Sequence, residues 1–244
     1  MPIISFVSSK GGVGKTTASL LTTLGLVENG RRVTVIDADP NLPLVRWASL
    51  PGKPDGVVVL AAPTEAELTN VVRRARFGHA TGHGPSSDGG PPDWIVIDTE
   101  GGARRAMHTA IRLADLVITP SGPSTIEAIE AVKVIGYVRE AARTLKRPIP
   151  YACALTRIPA AIRPRSVGAV VQQLKEAQIP LVPTPLIEKE AFRTLFSDGG
   201  SLDRLDPKLV SGLASARANL KLFAADVERM ALRPALAEAE AEAG

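Results

Sequence analysis

Apolar runs and helical patterns alternate along nearly the whole chain. Ile3, Ile4, Phe6 and Val7 make a short apolar run over residues 3–7, which predicts a buried strand. A glycine-rich turn follows, and residues 18–27 then place apolar side chains at helical spacing up to Gly30. Further apolar runs at 33–36, 57–60, 94–97, 116–119 and 151–156 predict strands, with a last short one at 181–182. A short segment carrying Trp47 and a Pro/Gly turn at 51–56 separate the second and third strands. Thr64 reads as a helix N-cap, with Glu65 and Glu67 in the first turn of a helix to about Phe77. Helical patterns also cover 103–113, 124–145, 163–177, 188–196 and 206–232. In the 124–145 segment Glu127 and Glu130 come early and Arg143 and Lys146 late, which complements the helix dipole.

Strand–helix alternation of this kind predicts an α/β fold. Its sheet should be doubly wound and mainly parallel, with helices on both faces. One domain over residues 1–232 is expected, followed by an Ala/Glu-rich tail, 233–244, predicted to be flexible. Residues 78–93 break the pattern. They are rich in Gly, Pro, Ser and His and predict a surface loop. His79 and His83 fall within it, and two solvated histidines fit a Gly/Pro loop better than a metal site. In folds of this class ligands sit at the carboxyl ends of the strands, where each motif below falls.

Composition narrows the reading. Aromatic residues are only 4% of the chain, so a core drawn from its 45% hydrophobic residues must be mostly Ala, Val, Leu and Ile. The net charge of +4 and a pI near 9.4 are compatible with a polyanionic partner without requiring one. Cys153 is the single cysteine, so no disulfide can form within the chain. Its apolar surroundings predict a small buried side chain. No apolar run has the length of a membrane span and no leader precedes the first strand, so the expected location is the cytoplasm.

The chemistry concentrates in Ser8-Ser9-Lys10-Gly11-Gly12-Val13-Gly14-Lys15-Thr16-Thr17. Strand, Gly-rich turn and helix form the context of a phosphate-binding P-loop. The glycines let backbone N–H groups curl around a polyphosphate, and the helix N-terminus adds its dipole. Lys15 can then reach the β- and γ-phosphates, and the Thr16 hydroxyl can ligate Mg²⁺. Ser9 stands where the usual G-x-x-x-x-G-K-[ST] pattern has its first Gly, and Lys10 adds a second lysine.

The string K-G-G-V-G-K-T-T resembles the deviant Walker A motif of the ParA/MinD family of ATPases. That resemblance implies ATP and Mg²⁺, with Gly11, Gly12, Val13, Gly14, Lys15, Thr16 and Thr17 around the phosphates. It also implies an ATP-sandwich homodimer in which Lys10 crosses to the partner's phosphates. Asp37-Ala38-Asp39-Pro40 resembles the family's first switch. Asp39 would then orient the attacking water and Asp37 would support the metal shell; the other reading of either acid is a cap on the next helix. The run ending in Asp98 resembles a Walker B strand that gives one acid to Mg²⁺. Asp98-Thr99-Glu100-Gly101 resembles the second switch, although Glu100 departs from the prolines common there. Thr156, Arg157 and Pro185 follow strands at the places where the family's loops flank adenine. No guanine-type Asn-Lys-x-Asp motif is present, which favours ATP over GTP.

Asp39-Pro40-Asn41, with Pro43, Arg46 and Trp47, looks most like the short ParA-like proteins of plasmid partition and T-DNA transfer. Their larger relatives carry an N-terminal helix-turn-helix, which is not expected here. One cysteine excludes the paired cluster ligands of the nitrogenase iron protein. The Ala/Glu tail disfavours a MinD-type membrane helix. The resemblance further implies non-specific DNA binding by the dimer, through basic residues of the C-terminal third: Arg163, Arg165, Lys189 and Arg193. An ordinary solvated face, with Glu176, Glu188 and Glu190 as partners, explains those positions equally well. The expectation is thus a nucleoid-associated ATPase that partitions plasmid or chromosomal DNA, with a ParB-like protein or cargo adaptor stimulating hydrolysis. The alternatives keep the switch but move a protein cluster, a microcompartment or a conjugative transfer complex, or act as an adaptor with negligible turnover.

Overall fold

The computed structural model describes residues 1–77, 91–102, 104–160 and 165–242. In chain order the elements are β1 (Ile3–Phe6), α1 (Lys15–Glu28), β2 (Val33–Ala38), α2 (Pro43–Ser49), β3 (Val57–Ala61), α3 (Glu65–Arg76) and β4 (Trp94–Thr99). They continue with α4 (Arg104–Leu113), β5 (Leu116–Ser121), α5 (Thr125–Leu145), β6 (Tyr151–Leu155), α6 (Arg165–Glu176), α7 (Glu190–Asp198) and α8 (Leu213–Glu242). The six strands form one sheet in the order β3-β2-β4-β1-β5-β6, and every pairing is parallel.

Both faces are covered, which explains why the strands read as apolar runs instead of alternating patterns. Ile4, Phe6, Val35 and Val96 point to one face and pack with α1, α2, α7 and α8. Ile3, Ile36, Ile95 and Ile97 point to the other and pack with α3, α4, α5 and α6. The approach of α1 to α8 is close: a Cβ on Gly25 would collide with Ala224. The Thr64 cap forms as a capping box. Its hydroxyl accepts the Glu67 N–H, and the Glu67 carboxylate accepts the Thr64 N–H.

Several expectations needed correction. The strands β2 and β4 run past their apolar stretches, so Asp37 and Asp98 lie inside strands and not after them. The expected strand at 181–182 is a single bridge between Leu181 and Cys153. The last helix begins at Leu213 instead of 206, because Pro207 and Gly212 (φ 71°) interrupt the helical path. It continues in helical backbone to Glu242, beyond the expected end at 232, as a run of strong helix formers allows. His79, His83 and most of the 78–93 loop lie outside the described residues.

Candidate functional site

The phosphate loop leaves the end of β1, which is flanked in the sheet by β4 and β5. Gly12 (φ 74°) and Gly14 (φ 87°) take left-handed conformations that other residues rarely adopt, and α1 starts directly at Lys15. Lys15 is buried. Its Nζ donates to Ser8 Oγ at 3.0 Å and to the Lys10 carbonyl at 3.2 Å. Burial lowers its pKa, while the carboxylates of Asp98, Asp39 and Glu100 pull it back up. Gly11, Gly12 and Lys10 are exposed. Gly101 rests on the loop from above: a Cβ there would stand 2.5 Å from Gly11 N.

Two acids face the foot of α1. Asp37 and Asp98 are register partners on β2 and β4, both fully buried. Asp37 caps α2 from a distance: its Oδ2 accepts the N–H groups of Leu44 and Val45 at 2.8 and 3.0 Å, in the first turn of that helix. Neither Asp98 oxygen has a hydrogen-bond partner among the described residues. Burial pushes the Asp98 carboxyl up to about 7, held back by the nearby Thr16 hydroxyl and Lys15, and raised further by Asp37. An orphaned buried carboxylate beside a hydroxyl and a second acid suits a divalent cation that shares its shell with phosphate. Thr16, Asp98 and, behind them, Asp37 therefore fit Mg²⁺. Asp39 is half-buried. Its Oδ1 accepts the Asn41 backbone and side-chain N–H groups at 2.8 and 3.0 Å, closing a small turn.

One cleft of about 360 Å³ joins these parts. Gly11, Gly12, Gly14, Lys15, Thr16, Thr17, Asp39 and Gly101 line one end, and Leu186, Ile187, Phe192 and Phe196 give the other an apolar wall. Thr156 and Arg157 lie between them. The Thr156 hydroxyl donates to the Val13 carbonyl at 2.7 Å, which ties the end of β6 to the phosphate loop. Val13 is buried behind the loop, and Pro185 stands outside the cleft, with Leu186 and Ile187 lining it in its place.

Sequence reasoning missed what holds this wall. The Asn219 carboxamide on α8 accepts from Ile187 N at 2.9 Å and donates to the Pro185 carbonyl at 2.8 Å. Asp226, two turns on, accepts from Thr184 N. The other edge of the segment pairs with the end of β6 through Leu186 N to Leu155 O and Ile158 N to Leu186 O. Asn219 thus satisfies backbone groups that a further strand would otherwise pair.

Of the four basic residues expected at DNA, Arg163 lies outside the described residues. Arg165 opens α6, and nothing is described of its side chain. Lys189 and Arg193 line the rim of the nucleotide-sized cleft. Lys189 Nζ donates to Ser215 Oγ at 2.9 Å, and Arg193 is held between Glu188 and Glu190. Among the described residues, Arg73, Arg74 and Arg76 of α3 and Arg104 and Arg105 of α4 are exposed.

A family model described as VirC1 protein matches residues 1–231. Protein ParA of Rhizobium radiobacter is 29% identical over 224 residues, 92% of this chain and 95% of the relative. Protein virC1 of Rhizobium rhizogenes is 31% identical over 202 residues, 82% of each chain. Among solved structures, apo McdA from Cyanothece superposes with a TM-score of 0.69 at 16% identity, covering 93% of this chain and 99% of that one.

Proposed function

The chain belongs to the VirC1 protein family, within the ParA/MinD group of P-loop ATPases, and from that premise we propose that it hydrolyses ATP as a switch for moving DNA. The observation that carries the reading is the shared cleft: Lys15, Thr16 and Asp39 line it together, with orphaned Asp98 beneath. Lys15 supplies a positive charge to the β- and γ-phosphates. Backbone N–H groups of residues 11–17 orient the phosphate chain. Thr16 and Asp98 would hold Mg²⁺, with Asp37 supporting the shell from behind, and the ion would neutralise phosphate charge. Asp39 stands where a carboxylate orients the attacking water. Thr156, Arg157 and the wall beyond Pro185 take the nucleoside.

Exposed Lys10 reaches the phosphates of a second copy, so ATP holds a sandwich dimer. The dimer binds DNA non-specifically through Arg163, Arg165, Lys189 and Arg193, and no base-reading module is needed. A ParB-like protein or cargo adaptor stimulates hydrolysis and releases it. Residues 1–232 form the ATPase unit, with 233–244 as an appended tail, and the protein works on the nucleoid in the cytoplasm. No described helix is long and apolar enough to cross a membrane.

Sedimentation with Mg²⁺ and a slowly hydrolysed ATP analogue, beside ATP turnover with and without DNA, tests this. Wild type should dimerise with the analogue and not with ADP. Lys10→Ala should bind ATP as a monomer and fail to dimerise. A wild type that binds no ATP, or a Lys10→Ala protein that dimerises normally, overturns the reading.

A further inference from the structure

At the nucleoside end of the cleft, Arg157 is held by an acid that the cleft does not touch. Glu127, in the first turn of α5, accepts from Arg157 Nη2 with both oxygens, at 2.6 and 2.7 Å. The same carboxylate accepts the Gly122 N–H at 2.6 Å, at the end of β5. Only 10% of the Glu127 side chain is exposed, against 41% for Arg157. A Cβ on Gly122 would stand against the ends of both Glu127 and Arg157 and would displace the pair as it now sits. Arg157 itself takes φ 54°, an uncommon conformation for a residue other than glycine.

Three features therefore meet at one point: a nearly covered acid, a left-handed arginine and a glycine where a Cβ would displace the pair. Together they fix the guanidinium of a residue that lines the cleft. Arg157 lines the cleft, whereas Glu127 does not. The next residue, Ile158, bonds to Leu186 of the apolar wall. Pairing with Glu127 also cancels most of the arginine's net charge. Its Nε is buried without a partner among the described residues and its Nη2 is held by Glu127, so a planar group with little net charge is what the residue offers a ligand, which suits an uncharged nucleoside better than a polyphosphate.

We infer that Glu127 is a positioning residue, holding the Arg157 guanidinium against the base and ribose of the bound nucleotide. This rests on the nucleotide reading above and adds the residue that sets its nucleoside contact. A merely structural ion pair would affect every ligand of the cleft alike.

The test compares ATP with inorganic tripolyphosphate, which has no nucleoside, by calorimetry on the full-length protein with Mg²⁺. Wild type should bind ATP more tightly than tripolyphosphate. Glu127→Gln should weaken ATP binding about tenfold, as expected for a charged hydrogen-bond partner, and leave tripolyphosphate within twofold. Arg157→Lys should do the same, and the double variant should lose little more than either single one. Arg157 is half exposed, so Arg157→Lys carries the comparison should Glu127→Gln fail to fold. Equal weakening of both ligands, or additive losses in the double variant, overturns the positioning role. A wild type that binds tripolyphosphate as tightly as ATP would instead remove the nucleoside from this cleft, and the inference with it.

Discussion

Asp37 and Asp98 stand side by side on neighbouring strands, both fully buried, yet only Asp37 is satisfied. Asp37 is occupied with the first turn of α2, whereas neither Asp98 oxygen has a well-formed hydrogen bond among the described residues, although the Thr16 and Ser19 hydroxyls and Lys15 stand near. Its carboxyl is pushed up to about 7. At pH 8 the folded protein without metal must therefore hold a desolvated charge that the unfolded chain hydrates freely, which costs stability. Asp98→Asn should raise the melting temperature of the metal-free protein at pH 8, by about 2–4 °C for each kcal/mol relieved. The same variant should lose the gain in ATP affinity that Mg²⁺ gives wild type. A lowered melting point with intact Mg²⁺ dependence would assign Asp98 to the fold alone.

The contact of Gly101 with Gly11 leads to a second expectation. Its φ is not left-handed, so space and not backbone strain requires the glycine. An added methyl must push the 100–102 loop or the phosphate loop aside, and overpacking of this kind costs about 1–3 kcal/mol. Gly101→Ala should lower the melting temperature of the nucleotide-free protein by about 2–10 °C. An unchanged melting point would show that the two loops do not touch in solution.

The glycine-rich turn and the six strands of the sheet were legible because each rests on a local pattern, while the seventh run, at 181–182, was too short to tell a strand from a bridge. Covered on both faces, the strands had to be apolar runs, and the Thr64 to Glu67 spacing spelled out its cap. Strand ends were not legible. The apolar run stops at Ile36 and Ile97, while the ladder continues through Asp37 and Asp98, whose burial depends on neighbours far away in sequence. Glu127 looked like a dipole-complementing acid; its hold on Arg157 needs β5, α5 and β6 to meet. Asn219 lies 32 residues from Ile187, and no local signal links them. The DNA-directed reading of Lys189 and Arg193 followed the family resemblance and their charge, and neither reveals that both line the cleft.

That placement makes the basic residues separable by experiment. Lys189 lines the nucleotide cleft, so Lys189→Glu should weaken both ATP and DNA binding. Arg165 opens α6, and on the DNA reading Arg165→Glu should weaken DNA binding and leave ATP affinity unchanged. With wild type and ATP analogue, affinity for any duplex should fall about a hundredfold or more between 50 and 200 mM salt, because phosphate contacts release counterions. Fluorescence anisotropy on two unrelated duplexes checks this. Equal binding with and without nucleotide, or strong preference for one sequence, would count against a nucleotide-gated, sequence-independent surface.

Asp37 and Asp39 should separate catalysis from stability. Asp39 lines the cleft, and the side-chain bonds described for it go to Asn41, within its own turn. Asp37 is sealed from solvent and holds the backbone of Leu44 and Val45. With Lys15 and Thr16 intact, Asp39→Ala should still bind ATP and dimerise. It should lose the group that orients water, and misplaced orientation alone costs on the order of 10²-fold in rate. Its melting temperature should fall little, since the turn it closes is exposed. Asp37→Ala leaves two N–H groups of α2 without an acceptor in a buried place. Each orphaned group costs about 1–3 kcal/mol, so this variant should melt several degrees lower before any catalytic effect is read. Single-turnover hydrolysis beside thermal melts on both variants decides the matter. Near-normal turnover in Asp39→Ala together with a clearly lowered melting point would make Asp39 a turn residue, and the water-orienting group would have to be sought elsewhere along the cleft.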